Sequence, residues 1–102
     1  MVTLIALYRK PQDPAEFDRH FDGVHTPLVQ KYPGLRKLEI TRFTDSPPGG
    51  VKHHLMAEMY FDSRESLDAA LASSEGKAVA RDLMRFAADI VTVMYGETQE
   101  VR

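Results

Sequence analysis

The sequence predicts an α+β fold of order β-α-β-β-α-β, a four-stranded antiparallel sheet with two helical regions. Three observations predict it. Strand-like runs lie near the start, middle and end of the chain: Val2–Tyr8, rich in β-branched and aromatic residues, His53–Phe61, and Asp89–Tyr95, apolar on both sides. Phe17, Phe21, Val24 and Leu28 recur at spacings of 4, 3 and 4, one face of a helix. A second apolar helical pattern separates the third strand from the last.

Val2 to Tyr8 ends at Arg9-Lys10-Pro11 and is the first strand. Leu4, Ala6 and Tyr8 share one of its faces, Ile5 and Leu7 the other; a strand apolar on both sides needs both sides covered. Asp13-Pro14-Ala15-Glu16 then carries a helix start: Asp13 to cap, Pro14 for the first helical position, Glu16 to reach back. At roughly 100° per residue His20 and His25 fall about 70° to either side of the apolar stripe, as border positions. Pro27 removes a backbone donor and crowds the carbonyl of Gly23, which predicts a kink at His25-Thr26. Thr26 then caps a short segment through Tyr32, and Pro33-Gly34 ends it.

Leu35 to Phe43 is the second strand, with Leu38 and Ile40 on one face. Asp45-Ser-Pro-Pro-Gly-Gly50 is the strongest loop signal in the chain. The third strand, His53 to Phe61, splits into Leu55, Ala57, Met59 and Phe61 against His54, Met56, Glu58 and Tyr60. Asp62-Ser63 opens the next helix, with Leu67, Ala70 and Leu71 inward. Ser73-Ser74 re-caps it for a segment using Val79, Leu83, Phe86 and Ala87. The last strand follows, then a polar tail from Gly96 to Arg102. The order is that of a split βαβ, ferredoxin-like arrangement. Its two helical regions cover one face of the sheet. The other face, carrying Leu4, Tyr8, Met56 and Tyr60 or their neighbours, needs a partner, and a homodimer packed sheet to sheet is the simplest.

The 102 residues form one domain, residues 1–102, with ordinary hydrophobic (43%) and charged (27%) content. Thirteen Lys and Arg against fifteen Asp and Glu form no block of like charge, which argues against a nucleic-acid or anionic-membrane partner. The chain has no cysteine, so disulfides and thiolate chemistry are excluded and a reducing compartment is compatible. Its longest apolar run, Leu4 to Tyr8, is far too short to span a membrane, and no cleavable apolar segment precedes the first strand; the expectation is a cytoplasmic protein.

Several stretches together resemble the EthD family: Tyr8-Arg9-Lys10-Pro11, Phe17, His25-Thr26-Pro27-Leu28 and Pro33-Gly34-Leu35 near the start. Further on, Ala57-Glu58-Met59-Tyr60-Phe61-Asp62-Ser63, the run from Ala69 to Gly76, and Val91-Thr92-Val93-Met94-Tyr95-Gly96 are similar to the family's other segments. The resemblance covers nearly the whole chain, in order. It implies a dimeric α/β barrel, closed by two ferredoxin-like subunits. It also implies kinship with a protein needed for bacterial ether-fuel breakdown, with lactone isomerases, and with fungal enzymes that dehydrate or decarboxylate aromatic polyketides. Those enzymes use no cofactor and move protons with histidine. Of the histidines here, only His25 sits where the family's recurrent helix histidine sits.

His25 is the candidate acid/base, because imidazole titrates near working pH and a border position desolvates it partly. The structural alternative is a histidine that satisfies a carbonyl freed at the kink. Phe21 and Leu28 flank it on the helix as core residues and candidate pocket walls, and Tyr8 and Tyr60 either donate hydrogen bonds into a pocket or pack at a barrel seam. His53 and His54, adjacent on a strand, point to opposite faces; one of them reaches the pocket as a relay, or both belong to a solvated loop end. His20 reads as a surface residue. His20 and His25, about 140° apart around an α-helix, do not converge, so no metal site is expected. Glu58 either pairs with Arg42 or Lys37 or is an acid of raised pKa. The chain holds no recognisable nucleophile or phosphate loop. The leading expectation is a cofactor-free isomerase or lyase acting on a small hydrophobic carbonyl, lactone or aromatic compound. The alternatives are a non-catalytic carrier or accessory protein for an oxidative degradation pathway, and a dimer with a filled interior.

Overall fold

A computed structural model describes residues 1–45, 48 and 51–101. Four strands, β1 (Val2–Arg9), β2 (Lys37–Arg42), β3 (His53–Phe61) and β4 (Val91–Glu97), form one antiparallel sheet in the order β2-β3-β1-β4. This is the α+β, ferredoxin-like arrangement the sequence predicts. The second strand is shorter than expected and the last begins and ends two residues later. The loop expected over Asp45 to Gly50 lies largely outside the described residues, as does Arg102. Among the described residues no helix is long and apolar enough to cross a membrane.

Register decides which side chains meet the helices. Leu4 pairs with Met59 and Tyr95, Ala6 with Ala57 and Val93, and Tyr8 with Leu55 and Val91. Side chains paired across a ladder share a face. Leu4, Ala6, Tyr8, Leu55, Ala57, Met59 and Phe61 are accordingly buried, with Leu38 and Ile40 packed against them. Leu4 and Tyr8 therefore do not belong to the uncovered face. Their neighbours Ile5 and Leu7 do, alongside Met56, Glu58, Tyr60 and Met94.

The first helical region departs most from expectation. Asp13 caps α1 (Pro14–His20) by accepting from the Glu16 backbone N–H at 3.1 Å, with Pro14 in the first turn; the Glu16 carboxylate pairs with Arg19 instead of reaching back. The chain then runs through a π-helical turn (Phe21–His25) straight into α2 (Thr26–Val29). Thr26 keeps helical angles (φ −57°, ψ −44°) and its N–H donates to the Phe21 carbonyl five residues back. There is no break at His25-Thr26, and His25, not Thr26, stands at the capping position of α2, with no side-chain cap. The widened turn leaves a spare carbonyl ahead of Pro27, which has no N–H to give, so the helix passes the proline by expanding. The extra residue also re-indexes the buried stripe. It runs Phe17, Phe21, His25, Val29, while Val24 is exposed.

Ser63 caps α3 (Arg64–Ala72) and Ser73 caps α4 (Ser74–Ala87), each hydroxyl accepting from the N–H three residues on. At the junction α4 starts almost on top of α3. A Cβ built on Gly76 would sit 2.2 Å from the Ala70 carbonyl oxygen, so only glycine permits the approach. Leu67, Ala70, Val79 and Ala87 then close the core over the sheet.

Candidate active site

The π turn and α4 together build a buried polar cluster in an otherwise apolar layer. On α4, Asp82 stands three residues after Val79 and four before Phe86, inside the apolar stripe, and is 5% exposed. On the other side, a turn closed by an i→i+5 hydrogen bond stacks residues five apart, so His20 and His25 both face this carboxylate. His25 Nδ1–H donates to Asp82 Oδ2 at 2.8 Å, and His20 Nε2–H reaches both carboxylate oxygens at 3.0 Å. The two imidazoles thus converge, against the expectation from α-helical geometry, and His20 is partly buried instead of a free surface residue. Phe86 packs against both, its ring centroid 4.5 Å from that of His20 and 4.9 Å from that of His25. Among the described residues no group of three or more His, Cys, Asp or Glu side chains is arranged to hold a metal ion.

The cluster has a defined charge state. Burial pulls the His25 imidazole below its ordinary value, and the Asp82 hydrogen bond and charge restore only part of this, so the ring is neutral near pH 7. Burial alone would raise the Asp82 carboxyl, but hydrogen bonds from His25 and His20 outweigh it and hold it below the usual range. An ionised carboxylate only accepts, which assigns the proton to Nδ1 and leaves the Nε2 lone pair of His25 free.

That lone pair meets a cavity. About 350 Å³ of space lies between the helices and the sheet, lined by Leu4, Ala6, Leu38, Ile40, Met59, Val79 and other apolar side chains, and by His25, Thr26, Tyr8, Tyr32 and Tyr95. His25 is 3% exposed and Nε2 has no protein partner among the described residues. No fully buried side-chain nitrogen or oxygen among them is unsatisfied, so Nε2 keeps some accessible surface, and His25 is one of the residues lining this space.

Of the residues singled out from sequence, His25, Tyr8 and Phe21 line the cavity; Leu28, His53 and Tyr60 do not. Leu28 yields its place to Val29 because the π turn rotates the following residues. Tyr60 pairs across the ladder with Thr3 and so faces the opposite side of the sheet. There its hydroxyl donates to Glu39 at 2.7 Å and lies 3.3 Å from Glu58. The Glu39 bond, with burial and Glu58, pushes the phenol well up. Glu58 therefore meets Tyr60, while Arg42 pairs with Asp22 and Lys37 with Glu39.

A bulge opposite Tyr8 and Arg9 accounts for the adjacent histidines: His53 pairs with Arg9, leaving His54 as the extra residue. His54 turns to α1, bonding Asp18 at 2.8 Å and packing on Phe17, while His53 packs on Phe43. Neither reaches the cavity. Sequence reasoning misses Asp82 and Tyr32. The available signal for Asp82 is an acid at an inward position of an amphipathic helix; Tyr32 reads from sequence only as a helix end.

A ferredoxin-like α+β protein with a histidine–aspartate pair opening on an apolar cavity is the class that fold and site define. The family model described as the EthD domain matches residues 9–90. The chain belongs to the EthD family. It is 31% identical over 101 residues to an 11.0 kDa protein of Rhodococcus erythropolis from the thcB–thcC intergenic region, covering 99% of this chain and 98% of the other. The crystal structure of an EthD family protein from Bacillus halodurans superposes with a TM-score of 0.95 at 48% identity, covering 97% of this chain and 99% of that one. At 19% identity the likeness is of fold alone for SnoaB, a cofactor-independent oxygenase from Streptomyces nogalater, with a TM-score of 0.67 over 98% of this chain and 94% of that one. Dimeric ferredoxin-like proteins also share the fold.

Proposed function

We propose that this chain is a cofactor-free proton-transfer enzyme of the isomerase or lyase type, with His25 as acid/base. Its substrate is a small, largely apolar carbonyl, lactone or aromatic compound. The observation that carries the reading is one imidazole with Nδ1 engaged by Asp82 and Nε2 left without a protein partner beside a largely apolar cavity. In the reaction Nε2 takes a proton from bound substrate, Asp82 stabilises the imidazolium so formed, and the proton returns at another atom. The hydrogen bond that holds the tautomer also keeps the ring aimed. The oxygenase SnoaB, alike in fold, supports the idea that this architecture accommodates chemistry without a cofactor.

The test is solvent deuterium uptake by a panel of ketones and lactones in D₂O, followed by proton NMR. The wild-type protein is expected to accelerate exchange at an acidic C–H. His25→Ala, with unchanged circular dichroism, should lose about 10²- to 10⁴-fold. Retained exchange in that variant would defeat the assignment. Binding without any exchange by the wild type would assign the cavity to carriage of a hydrophobic metabolite and end the enzymatic reading.

The open sheet face is proposed to dock a second copy. Ile5, Leu7, Met56 and Met94 lie on it, Met94 being 40% exposed, and dimeric proteins of this fold support the pairing. Light scattering on the eluting protein should give twice the chain mass; a monomer at micromolar concentration would exclude the arrangement.

A further inference from the structure

We propose that Tyr8 and Tyr32 form a pair of hydroxyl donors for the oxygen of an enolisable carbonyl compound whose adjacent C–H faces His25. The inference rests on the reading of His25 as the base and adds the substrate class and the second half of the site. Tyr8 is 1% exposed and Tyr32 6%, and both line the cavity. Neither hydroxyl has a protein hydrogen-bond partner among the described residues, yet no fully buried polar side-chain atom there is left unsatisfied. Both hydroxyls therefore keep some accessible surface, and both residues line the same cavity as His25. Two buried phenols aimed into a hollow await an acceptor, since buried polar groups without partners are costly. Their rings are held from outside. Tyr8 packs edge-on against Phe17 and Phe21, and Tyr32 against Phe61.

Both rings line the cavity that His25 also lines. The Tyr8 phenol is raised by burial, then by Tyr32 and by Asp82, and burial, with the neighbouring Tyr95, pushes Tyr32 up to about 12. Both stay protonated and act as donors. Alongside Thr26 and the half-exposed Tyr95 at its lining, the cavity thus offers these two buried phenols and one imidazole lone pair in a largely apolar frame, the complement of a carbonyl oxygen beside an acidic C–H. The step balances without a co-reactant. Nε2 takes the α-proton, the C–H electron pair becomes the C=C bond, and the carbonyl π pair moves onto oxygen. The resulting enolate oxygen accepts from Tyr8 and Tyr32, a preorganised arrangement in low dielectric. The imidazolium on Asp82 then returns the proton to the same or a conjugated carbon.

4-Nitrophenol tests the donor pair directly, because its phenolate mimics a conjugated enolate and absorbs at longer wavelength than the phenol. The wild-type protein should bind it as the anion and shift its ionisation toward the phenolate. Tyr8→Phe and Tyr32→Phe should each weaken anion binding about tenfold, and the double variant should lose the preference for the anion. His25→Gln should keep anion binding while losing C–H exchange. No binding, binding as the neutral phenol, or equal affinity in the tyrosine variants would overturn the proposal. Tyrosine-dependent anion binding without any ketone exchange in the wild type would instead remove His25 as base and leave the donor pair. Should a variant fail to fold, the spectral shift of the wild type decides by itself: a shift toward the phenolate supports the donor pair, and its absence overturns it.

Discussion

Replacing Asp82 by Asn keeps the shape of the side chain and removes its charge. Two N–H groups point at this carboxylate, from His25 at 2.8 Å and His20 at 3.0 Å. An amide offers one acceptor oxygen and one NH₂; an oxygen at the Oδ2 position still reaches both rings, but the NH₂ then faces the His20 N–H, so one histidine must weaken its bond or change tautomer. Hydrogen bonds to a charged acceptor contribute about 1.5–3 kcal/mol and neutral ones about 0.5–1.5. Two such bonds weakened, less the relief of a buried charge, cost about 1–3 kcal/mol, a fall in melting temperature of about 5–15 °C for a domain this size. If His25 is the one that turns, its proton moves to Nε2 and the base is gone. The carboxylate supports the charged imidazole, so its loss moves the His25 titration midpoint further down.

The sign of the pH dependence follows. In wild type, from about pH 6.5 downward the unfolded chain takes up a proton on this ring that the folded chain refuses, so stability falls with acid until the lowered folded midpoint is passed. The Asp82 contribution is full above the ordinary carboxyl value of 3.8 and is lost as pH falls through the depressed folded value. In Asp82→Asn the second contribution vanishes and the first window extends to lower pH. Nitrogen-15 NMR of the imidazole rings reads both tautomer and midpoint. His20→Ala is the opposing control: the nearby His20 lowers the His25 midpoint, and its removal should raise it. A His25 midpoint that stays or rises in Asp82→Asn, with Nδ1 still protonated, would refute the reasoning.

Gly76→Ala should lower stability by about 1–3 kcal/mol, because its Cβ meets the Ala70 carbonyl; Gly23→Ala, exposed and with open space around it, should raise stability by about 0.5–1 kcal/mol. Chemical denaturation separates the two, and equal effects would contradict the packing described at the α3–α4 junction. Leu7→Lys places a charge in the open sheet face and should give a folded monomer by light scattering; an undisturbed dimer would locate the interface elsewhere.

Much of the fold was legible because its signals are local. Alternation in His53–Phe61, the Asp13-Pro14 cap and the Ser63 and Ser73 caps each act within a few residues, and each is found where expected. The candidate site was legible only in part. His25, Tyr8 and Phe21 line the cavity, but Asp82 is fifty-seven residues from His25 and nothing near it in the chain announces the pair. Regular α-helical spacing counted from Phe17 put Val24 inside and Leu28 beside the histidine. One extra residue in the turn reversed both.

By itself the sequence determined the order of strands and helices, because periodicity and capping are short-range and survive any reasonable packing. The tertiary structure alone decided the register that sent Tyr8 inward and Tyr60 outward, and the expansion of one helical turn that aimed two histidines at a single aspartate. Both depend on free energy shared between segments far apart in the chain, which no local pattern records.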